Sequence, residues 1–256
     1  MKLRHNYHTH TSRCKHATGS DRDYIEAAIA AGIRTLGISD HVPLPYRNGY
    51  VSNLRMAVED IGEYFDSFSA LREEYRGRIE LLIGFEVEYF PKMFDEMLSI
   101  LDDYPCDYLL LGQHEIEDEQ GEAYIGKAFS DKKTLERHTD MTIAAIETGE
   151  FLYLAHPDIA NFVGDEDFYL QQARRICRAA KEAELPLEIN VLGMRDLRWY
   201  PRGLFYEAAA EEGNTLILGV DAHAPEQFTD AKALEAERDC IEFAESFELE
   251  ILDKIL

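Results

Sequence analysis

Histidines and carboxylates recur along this chain at spacings that suit a metal site. His8 and His10 are separated by one residue, and so are Asp221 and His223. Residues two apart on a β-strand place their side chains on the same face, so each pair can point in one direction. Glu86 follows a further apolar run and adds a carboxylate. Imidazole nitrogens and carboxylate oxygens are ligands that zinc, iron and manganese accept, and sites that use many of them commonly hold more than one ion.

Each of these groups comes at the end of a short apolar run that we predict to be a strand. The predicted strands span residues 3–8, 34–39, 79–87, 107–112, 151–155, 186–190 and 215–220. The predicted helices span residues 21–31, 91–102, 131–148, 166–184, 204–212 and 230–246, and one more ends near residue 76 after a loop over residues 42–54. Strands that alternate with helices of this length predict a parallel sheet with right-handed crossovers.

We predict one α/β domain over residues 1–256, because no flexible linker, internal repeat or low-complexity tract divides the chain. Seven strands fit a distorted (β/α)7 barrel, and an open doubly wound sheet with the same alternation is the alternative. In a barrel the carboxyl ends of all parallel strands surround one mouth. Residues far apart in sequence are therefore expected to converge there as a metal site.

Seven of the nine histidines follow predicted strands or lie in the loop beside the first one. They are His8, His10, His16, His41, His114, His156 and His223. One histidine at a strand end is usually an ordinary polar residue, but a set of this size predicts a metal cluster. The other two are expected outside the site. His5 is three residues from His8, so its side chain is expected on the opposite face of the strand. His138 lies among charged residues on a predicted solvated helix face.

The composition excludes several classes of protein. Asp and Glu number 50 against 26 Lys and Arg, and a net charge of −24 repels nucleic-acid backbones and anionic lipid. A hydrophobic content of 46% is typical of globular rather than disordered chains. No apolar run reaches the roughly 18 residues of a membrane span. Four widely separated cysteines and a start without the apolar core of a signal peptide predict a cytoplasmic protein, with no nucleic acid or membrane as partner.

The motifs resemble those of the PHP (polymerase and histidinol phosphatase) superfamily of metal-dependent phosphoesterases, and within it those of histidinol-phosphatases. The resemblance covers nearly the whole chain. It rests on the segments HTHT at residues 8–11, CKHA at 14–17, SDH at 39–41, GFEVEYFP at 84–91, LGQH at 111–114, LAHPD at 154–158 and GVDAH at 219–223. The CKHA and EVEYFP segments, with EIN at 188–190 and GMR at 193–195, are more particular to the phosphatase branch.

The resemblance implies a distorted seven-stranded barrel and a centre of three divalent metal ions, which could be zinc, iron or manganese. One ion would be held by His8, His10, Glu86 and Asp221, a second by Glu86, His114 and His156, and a third by His16, His41 and His223. Glu86 would then bridge two ions. The resemblance also implies the reaction, in which a metal-activated water hydrolyses the small phosphate ester L-histidinol phosphate during histidine biosynthesis.

Further residues are candidates for contact with the substrate. Resembling enzymes hold the phosphate with arginines, and Arg195 is expected to clamp it through its planar fork of donors, with Arg55 as a second candidate. Arg198 and Arg202 are further candidates. Asp40 and Asp158 each lie near a histidine of the ligand set and are expected either to orient an imidazole or to protonate the leaving alkoxide. The candidate catalytic residues are Glu86, Asp221, Asp40 and Asp158.

Three rival functions stay open at this point. A PHP phosphoesterase that acts on a nucleotide or a phosphoprotein would have the same ligands. An amidohydrolase-like deaminase also begins with two histidines one residue apart, but such sites usually end with a lone aspartate, whereas Asp221 is followed by His223. A non-enzymatic metal store or sensor would not need ligands from every strand around one open mouth. The oligomeric state is not indicated.

Overall fold

The computed structural model describes residues 2–121 and 124–256. Its strands, numbered β1 to β7, are His5–Asn6, Thr35–Ile38, Glu80–Val87, Tyr108–Leu111, Leu187–Asn190, Thr215–Gly219 and Glu250–Leu252. Its α-helices, numbered α1 to α8, are Asp21–Ala31, Ile61–Glu74, Phe94–Leu101, Lys132–Ile146, Glu166–Glu182, Val191–Arg195, Gly203–Glu212 and Ala231–Ser246. The α/β class is confirmed, because strands and helices alternate along most of the chain.

All paired strands run parallel. β1 to β4 pair in chain order, and so do β5 to β7. Leu154 forms parallel bridges to both Leu111 and Leu187, which links the two groups of strands. The predicted strand over residues 151–155 is therefore wrong as a regular strand. Leu152 and Ala155 still donate backbone hydrogen bonds to β4, but towards β5 the segment is joined through Leu154.

The sheet curls until the ends of its first and sixth strands meet. β5 occupies one edge of β6, so β7 and the segment after β1 lie along the other edge. There Thr9 bridges Ala222, and the backbone N–H of Asp221 donates to the His8 carbonyl at 3.0 Å. The short β7 was not predicted, because three residues that include the charged Glu250 give no periodic signal. The result is a curled parallel sheet whose carboxyl end forms one rim.

Local sequence explains where several helices begin. Ser20 starts α1 with a capping box. Asp131, Asp165 and Asp230 likewise accept hydrogen bonds from first-turn backbone N–H groups of α4, α5 and α8. The five-residue α6 was not predicted, and it begins directly after β5 because Asn190 caps it. These caps fix the points at which the chain leaves the rim.

Two layers of buried side chains support the rim. Helices cover the outer side of the sheet, where Phe68 of α2 and Phe85 of β3 belong to the larger core. A smaller cluster, which includes Tyr7, Tyr108 and Tyr153, draws its residues from segments all around the curl, so it fills the concave side. The Tyr108 hydroxyl donates to the Tyr7 carbonyl at 2.6 Å. The groups at the rim therefore rest on a packed floor of aromatic side chains.

Membrane helices and disulfide bonds are both absent from the described residues. None of the helices there has the length and apolar character needed to cross a bilayer. The four cysteines carry free thiols, and Cys14, Cys177 and Cys240 are buried. Burial raises the pKa of the Cys177 and Cys240 thiols above the ordinary value, so both stay protonated.

Candidate metal centre

The residues that the motifs predicted as metal ligands meet at the carboxyl end of the curled sheet. His8 and His10 follow β1, Glu86 lies near the end of β3, and Asp221 follows β6. The other predicted ligands follow β1, β2, β4, the Leu154 bridge and β6, and they are His16, His41, His114, His156 and His223. Eight of the nine line one cavity of about 500 Å³, and His8 is fully buried beside them.

Four of these side chains form one buried group. The Nε2 atom of His8 lies 3.5 Å from Oδ1 of Asp221 and 3.7 Å from Oε1 of Glu86. The Nε2 atom of His10 lies 3.3 Å from the same Asp221 oxygen and 3.4 Å from Oε2 of Glu86. The two Nε2 atoms are 3.2 Å apart. Nitrogen and oxygen donors that converge in this way suit a shared cation.

Glu86 also belongs to a second group. Its Oε1 lies 2.7 Å from Nε2 of His156 and 3.5 Å from Nε2 of His114, while its Oε2 lies 2.9 Å from Nδ1 of His41. Burial opposes ionisation of this carboxyl, but His114, His41 and His8 together hold its pKa well below the ordinary range. A carboxylate whose two oxygens face different imidazoles has the geometry to bridge two cations.

His16 and His223 form the outer group. Their Nε2 atoms are 3.0 Å apart, and the ring of His41 lies 5.6 Å from the ring of His16. Nδ1 of His16 donates to the Cys14 carbonyl at 2.6 Å, and Nδ1 of His223 donates to the Asp221 carbonyl at 2.9 Å. These two bonds place the N–H on Nδ1, so Nε2 of each ring is the atom with a free lone pair.

The donor set fits divalent cations. Two pairs of ring nitrogens face each other, His8 with His10 and His16 with His223. Facing lone pairs repel unless a proton or a cation lies between them. In the described residues, Oε2 of Glu86 is also buried without a hydrogen-bond partner. Metal ions would satisfy both pairs and this oxygen at once.

Two glycines make room for buried carboxylates at the rim. A Cβ atom at Gly112 would lie 2.0 Å from Oε1 of Glu86, and a Cβ atom at Gly219 would lie 1.7 Å from Oε1 of Glu188. Each glycine belongs to the strand segment next to that of its glutamate. Any larger residue would occupy the space that the carboxylate needs.

The backbone is strained at two of the predicted ligands. His156 has φ of 27° and Asp221 has φ of 54°, in a region that non-glycine residues rarely adopt. The N–H of His156 donates to Oε2 of Glu188 at 2.8 Å, and the N–H of Asp221 donates to the His8 carbonyl. Strain of this kind persists where surrounding contacts over-determine the conformation, and it is common at functional sites.

Glu188 is a buried carboxylate beside the predicted ligands, and no role for it was predicted from the sequence. It is buried in β5, and its Oε1 accepts hydrogen bonds from Nδ1 of His8 at 2.8 Å and from the Tyr153 hydroxyl at 3.2 Å. It therefore orients the His8 ring so that Nε2 faces the other ligands. A signal was present, because Glu188 is a carboxylate inside an apolar strand with a glycine on the next strand, as Glu86 is.

Arg55 is buried at the cavity wall and is held by the protein's own acceptors. Its Nη2 lies 2.6 Å from Oε2 of Glu88, its Nε lies 3.4 Å from Oε1 of Glu119, and its Nη1 donates to the Val42 carbonyl at 3.0 Å. Its contact with substrate stays a prediction. Glu115 lines the cavity in the same region, and burial raises its pKa to about 8.

Arg195, the predicted phosphate clamp, is not among the described residues that line the cavity. Its guanidinium lies 2.7 Å from Oδ1 of Asp196 and 2.8 Å from Oδ2 of Asp230. Arg198 does line the cavity, and its Nη1 donates to the Tyr200 hydroxyl at 2.8 Å. The clamp at Arg195 therefore stays a prediction, and Arg198, a further candidate from the sequence, lies at the cavity wall.

Asp40 and Asp158 are both buried beside the ligand set. Asp40 accepts hydrogen bonds from the backbone N–H of Thr11 at 2.8 Å and from its hydroxyl at 2.6 Å, and Asp158 accepts one from the backbone N–H of Arg202. Burial raises the pKa of Asp40 to about 6 and that of Asp158 to about 7. Neither accepts from an imidazole in the described part of the chain, where Glu188 does so instead. Their catalytic roles stay predictions.

His138 corrects one expectation. It was expected on a solvated face, but it is buried in α4, and its Nε2 donates to the Gln113 carbonyl at 3.0 Å. A helix turns by 3.6 residues, so charged neighbours in sequence point outward while this position faces the interior. Burial lowers the pKa of His138 to about 4. His5 lies outside the site as expected, with Nδ1 2.8 Å from the Thr35 hydroxyl.

Two curated proteins are similar to this chain in sequence. A probable histidinol-phosphatase of Deinococcus radiodurans is 30% identical over 230 residues, which are 85% of each chain. The histidinol-phosphatase of Bacillus subtilis is 24% identical over 248 residues, which cover 84% of this chain and 92% of that protein. Both relatives therefore match along most of their length.

A solved structure supports the fold. The histidinol phosphate phosphatase from Lactococcus lactis, complexed with zinc, L-histidinol and phosphate, matches with a TM-score of 0.74 and 19% identity, over 98% of this chain and 96% of that one. Residues 6–191 match the PHP domain family, and this span contains most of the predicted ligands. The resemblance noted in the motifs is confirmed, and the chain belongs to the PHP domain family.

Proposed function

We propose that this protein is a metal-dependent phosphatase that hydrolyses L-histidinol phosphate to L-histidinol and phosphate, a step of histidine biosynthesis. The observation that carries the proposal is the convergence on one cavity of imidazole and carboxylate groups from six strand segments of the rim. The names of the relatives support this substrate over a nucleotide or a phosphoprotein.

The proposal includes the finer architecture. The curled sheet is a distorted (β/α)7 barrel, in which the segment around Leu154 takes the place of the fifth strand and the metal site lies at the carboxyl ends. Two observations support closure, the bridges from Leu154 to both neighbouring strands and the bridge between Thr9 and Ala222. On this view residues 1–256 form one catalytic domain.

Three divalent ions, zinc, iron or manganese, are part of the proposal. The ligands would be His8, His10, Glu86 and Asp221 for one ion, Glu86, His114 and His156 for a second, and His16, His41 and His223 for a third. When bound, such ions supply positive charge to the phosphate oxygens and lower the pKa of the attacking water. This local charge is needed because a chain of net charge −24 repels a phosphate monoester through its overall field.

Residues of the chain orient the metal ligands and the substrate phosphate. Glu188 holds the His8 ring, and the space at Gly112 lets the Glu86 carboxylate lie at the centre of the cluster. Arg198 at the cavity wall, or Arg195 as predicted from the motif, donates to the phosphate oxygens through its planar fork. Ester cleavage leaves an alkoxide that takes up a proton, and the candidates for this transfer are Asp40 and Asp158.

The proposal also includes the cellular location of the enzyme and the kinds of partner that it does not bind. Free, mostly buried thiols support a place in the reducing cytoplasm. The net charge of −24 opposes binding of nucleic acid or an anionic membrane.

Steady-state phosphate release tests the function. L-histidinol phosphate, a nucleoside monophosphate, a phosphotyrosine peptide and 4-nitrophenyl phosphate are compared on protein whose bound metal has been counted. We expect L-histidinol phosphate to have the highest kcat/KM, by about tenfold or more, because enzymes discriminate through contacts made with the whole substrate. A higher kcat/KM for the nucleotide or the peptide would replace the substrate. Bound metal without turnover of any ester would favour a metal store.

A further inference from the structure

One part of the cavity wall carries more carboxylates than the protein neutralises. Glu88 and Glu119 both contact the guanidinium of Arg55, and Glu88 and Glu115 both line the cavity. Glu88 is 2% exposed and Glu115 is 7% exposed. Burying a carboxylate is costly unless a counter-charge or hydrogen bonds compensate for its lost hydration. The partners of each carboxylate therefore decide what this wall does.

Glu88 and Glu119 are accounted for by contacts within the chain. Oε2 of Glu88 accepts from Arg55 at 2.6 Å, and its Oε1 accepts from the backbone N–H groups of His114 and Glu115, each at 2.9 Å. Oε2 of Glu119 accepts from the hydroxyl of Ser52 at 2.8 Å, and its Oε1, which has no hydrogen-bond partner in the described residues, forms an ion pair with Nε of Arg55 at 3.4 Å. The guanidinium of Arg55 is thus engaged by two carboxylates, and it has little left for a third.

Glu115 is different. Its Oε2 is buried and has no hydrogen-bond partner among the described residues, and no lysine, arginine or histidine of residues 2–121 and 124–256 forms an ion pair with it. Its backbone is held by Glu88, by Gln113 and by a bridge to Tyr124. The side chain is therefore not needed to fix the loop, and Glu115 lines the cavity that would receive the substrate.

We infer that Glu115 binds a cationic amino group of the substrate, so that the cavity selects phosphate monoesters that also carry an ammonium group. This inference rests on the proposed phosphatase function and adds a specificity-determining residue to it. The metal cluster and Arg198 attract the dianionic end of such a molecule. The carboxyl group of Glu115 receives the cationic end, because an adjacent ammonium group favours the ionised form of a buried carboxyl. L-histidinol phosphate has this chemistry, because its amino group is protonated near neutral pH.

A matched pair of esters tests the inference. 3-Aminopropyl phosphate and butyl phosphate have the same number of heavy atoms and differ in the terminal ammonium or methyl group. We expect the wild-type enzyme to prefer the amino ester in kcat/KM by about 10- to 100-fold, the range expected for a hydrogen bond to a charged group. In the variant Glu115→Gln we expect this preference to fall to about threefold or less, with kcat/KM for butyl phosphate changed by no more than about twofold.

Two further variants separate recognition from folding. Glu115→Asp keeps the charge and is expected to retain part of the preference, which a loss of structure would not allow. Glu117→Gln is the matched control, because Glu117 is exposed, pairs with Arg137 at 3.3 Å and is not among the residues that line the cavity. It is expected to keep the full preference.

Three results would overturn the inference. They are a wild-type enzyme without preference for the amino ester, a wild-type enzyme that does not hydrolyse that ester, and a Glu115→Gln variant that loses activity equally on both esters. Turnover of L-histidinol phosphate by the wild-type enzyme is read separately. An enzyme that prefers 3-aminopropyl phosphate but leaves L-histidinol phosphate intact refutes the proposed substrate and upholds the role of Glu115.

Discussion

Acidic side chains at the two ends of the curled sheet have different kinds of partner. At the amino end, partly exposed cations pair with acids, as Lys254 does with Glu80 at 3.1 Å and Arg72 does with Asp107. At the carboxyl end, Glu86 and Asp221 are buried, and in the described residues their ion-pair partners are histidines, with no lysine or arginine.

The exposed ion pairs and the buried carboxylates differ in how they affect the stability of the folded chain. Exposed ion pairs are screened by water and salt and contribute about 0 to 1 kcal/mol each. Buried carboxylates without a fixed cation lower the stability of the folded chain until a cation binds. Glu86 and Asp221 therefore suit cations from outside the chain, whereas Glu80 and Asp107 at the amino end already pair with cations of the chain.

The largest contrast is expected between Glu86→Gln and Glu80→Gln. Glu86 faces imidazoles of two groups, so its loss removes a shared ligand, and we expect phosphate release to fall by about 1000-fold or more with loss of bound metal. Glu80 is half-exposed at the amino end, and its variant is expected to keep full activity. Metal content and phosphate release are measured on both. Normal metal content and activity in Glu86→Gln would contradict the comparison.

The pH dependence of the free energy of unfolding is expected to depend in part on His138, which contacts the segment after β4. Burial lowers its pKa to about 4, whereas an unfolded histidine has a pKa of about 6.5, so the unfolded chain binds more protons between these values. The free energy of unfolding therefore falls as the pH drops from about 6.5 to about 4, by about 3 kcal/mol from this group, and is unaffected by it above that window.

The variant His138→Gln, which keeps a side-chain donor for the Gln113 carbonyl, is expected to lose this part of the pH dependence. Urea unfolding of the variant and the wild type at pH 7 and pH 5 measures the difference. An identical change in unfolding free energy for both proteins would show that His138 does not contribute.

A smaller effect is expected from Glu188→Gln. The substitution weakens the hydrogen bond that orients His8, and changes of this kind typically reduce metal affinity by about 10- to 100-fold. Gly219→Ala is expected to act in the same direction, because a Cβ there would lie 1.7 Å from the Glu188 carboxylate. Competition with a chelator measures the affinity. Unchanged affinity in both variants would remove Glu188 from the metal site.

Substitution of Arg198 and substitution of Arg195 are expected to change KM for the phosphate ester to different extents. Arg198 lines the cavity, so we expect Arg198→Ala to raise KM for the phosphate ester by about tenfold through loss of a charge-assisted hydrogen bond. Arg195 is engaged by Asp196 and Asp230, so Arg195→Ala is expected to have the smaller effect on KM. The reverse order would assign the phosphate clamp to Arg195, as the motif predicted.

The smallest effect is expected at the amino end. Arg72→Ala removes an exposed ion pair with Asp107, whose carboxylate also accepts from the backbone N–H of Ile83 at 2.7 Å. The free energy of unfolding is expected to fall by no more than about 1 kcal/mol, less at high salt, with activity unchanged. Denaturant unfolding at two salt concentrations measures this. A fall of several kcal/mol in the free energy of unfolding would show that the ion pair at the amino end contributes more to stability than a surface pair does.

The ligand set was open to prediction because its signals are local. Two residues such as His8 and His10 share a face through the geometry of a single strand, and the alternation of strands with helices already implies that strand ends gather at one rim. The segment around Leu154 shows the limit, because its apolar run predicts a strand whether or not neighbouring strands pair with it continuously.

The sequence by itself determined the residue types, their spacing along each strand and the class of the fold. Tertiary structure alone decided that Glu188 supports His8, that His138 faces the interior and that Arg198 rather than Arg195 lines the cavity. It also decided that Oε2 of Glu115 has no hydrogen-bond partner among the described residues. The reason is physical. The environment of a side chain depends on segments packed against it from distant parts of the chain, and no local pattern records which segments those are.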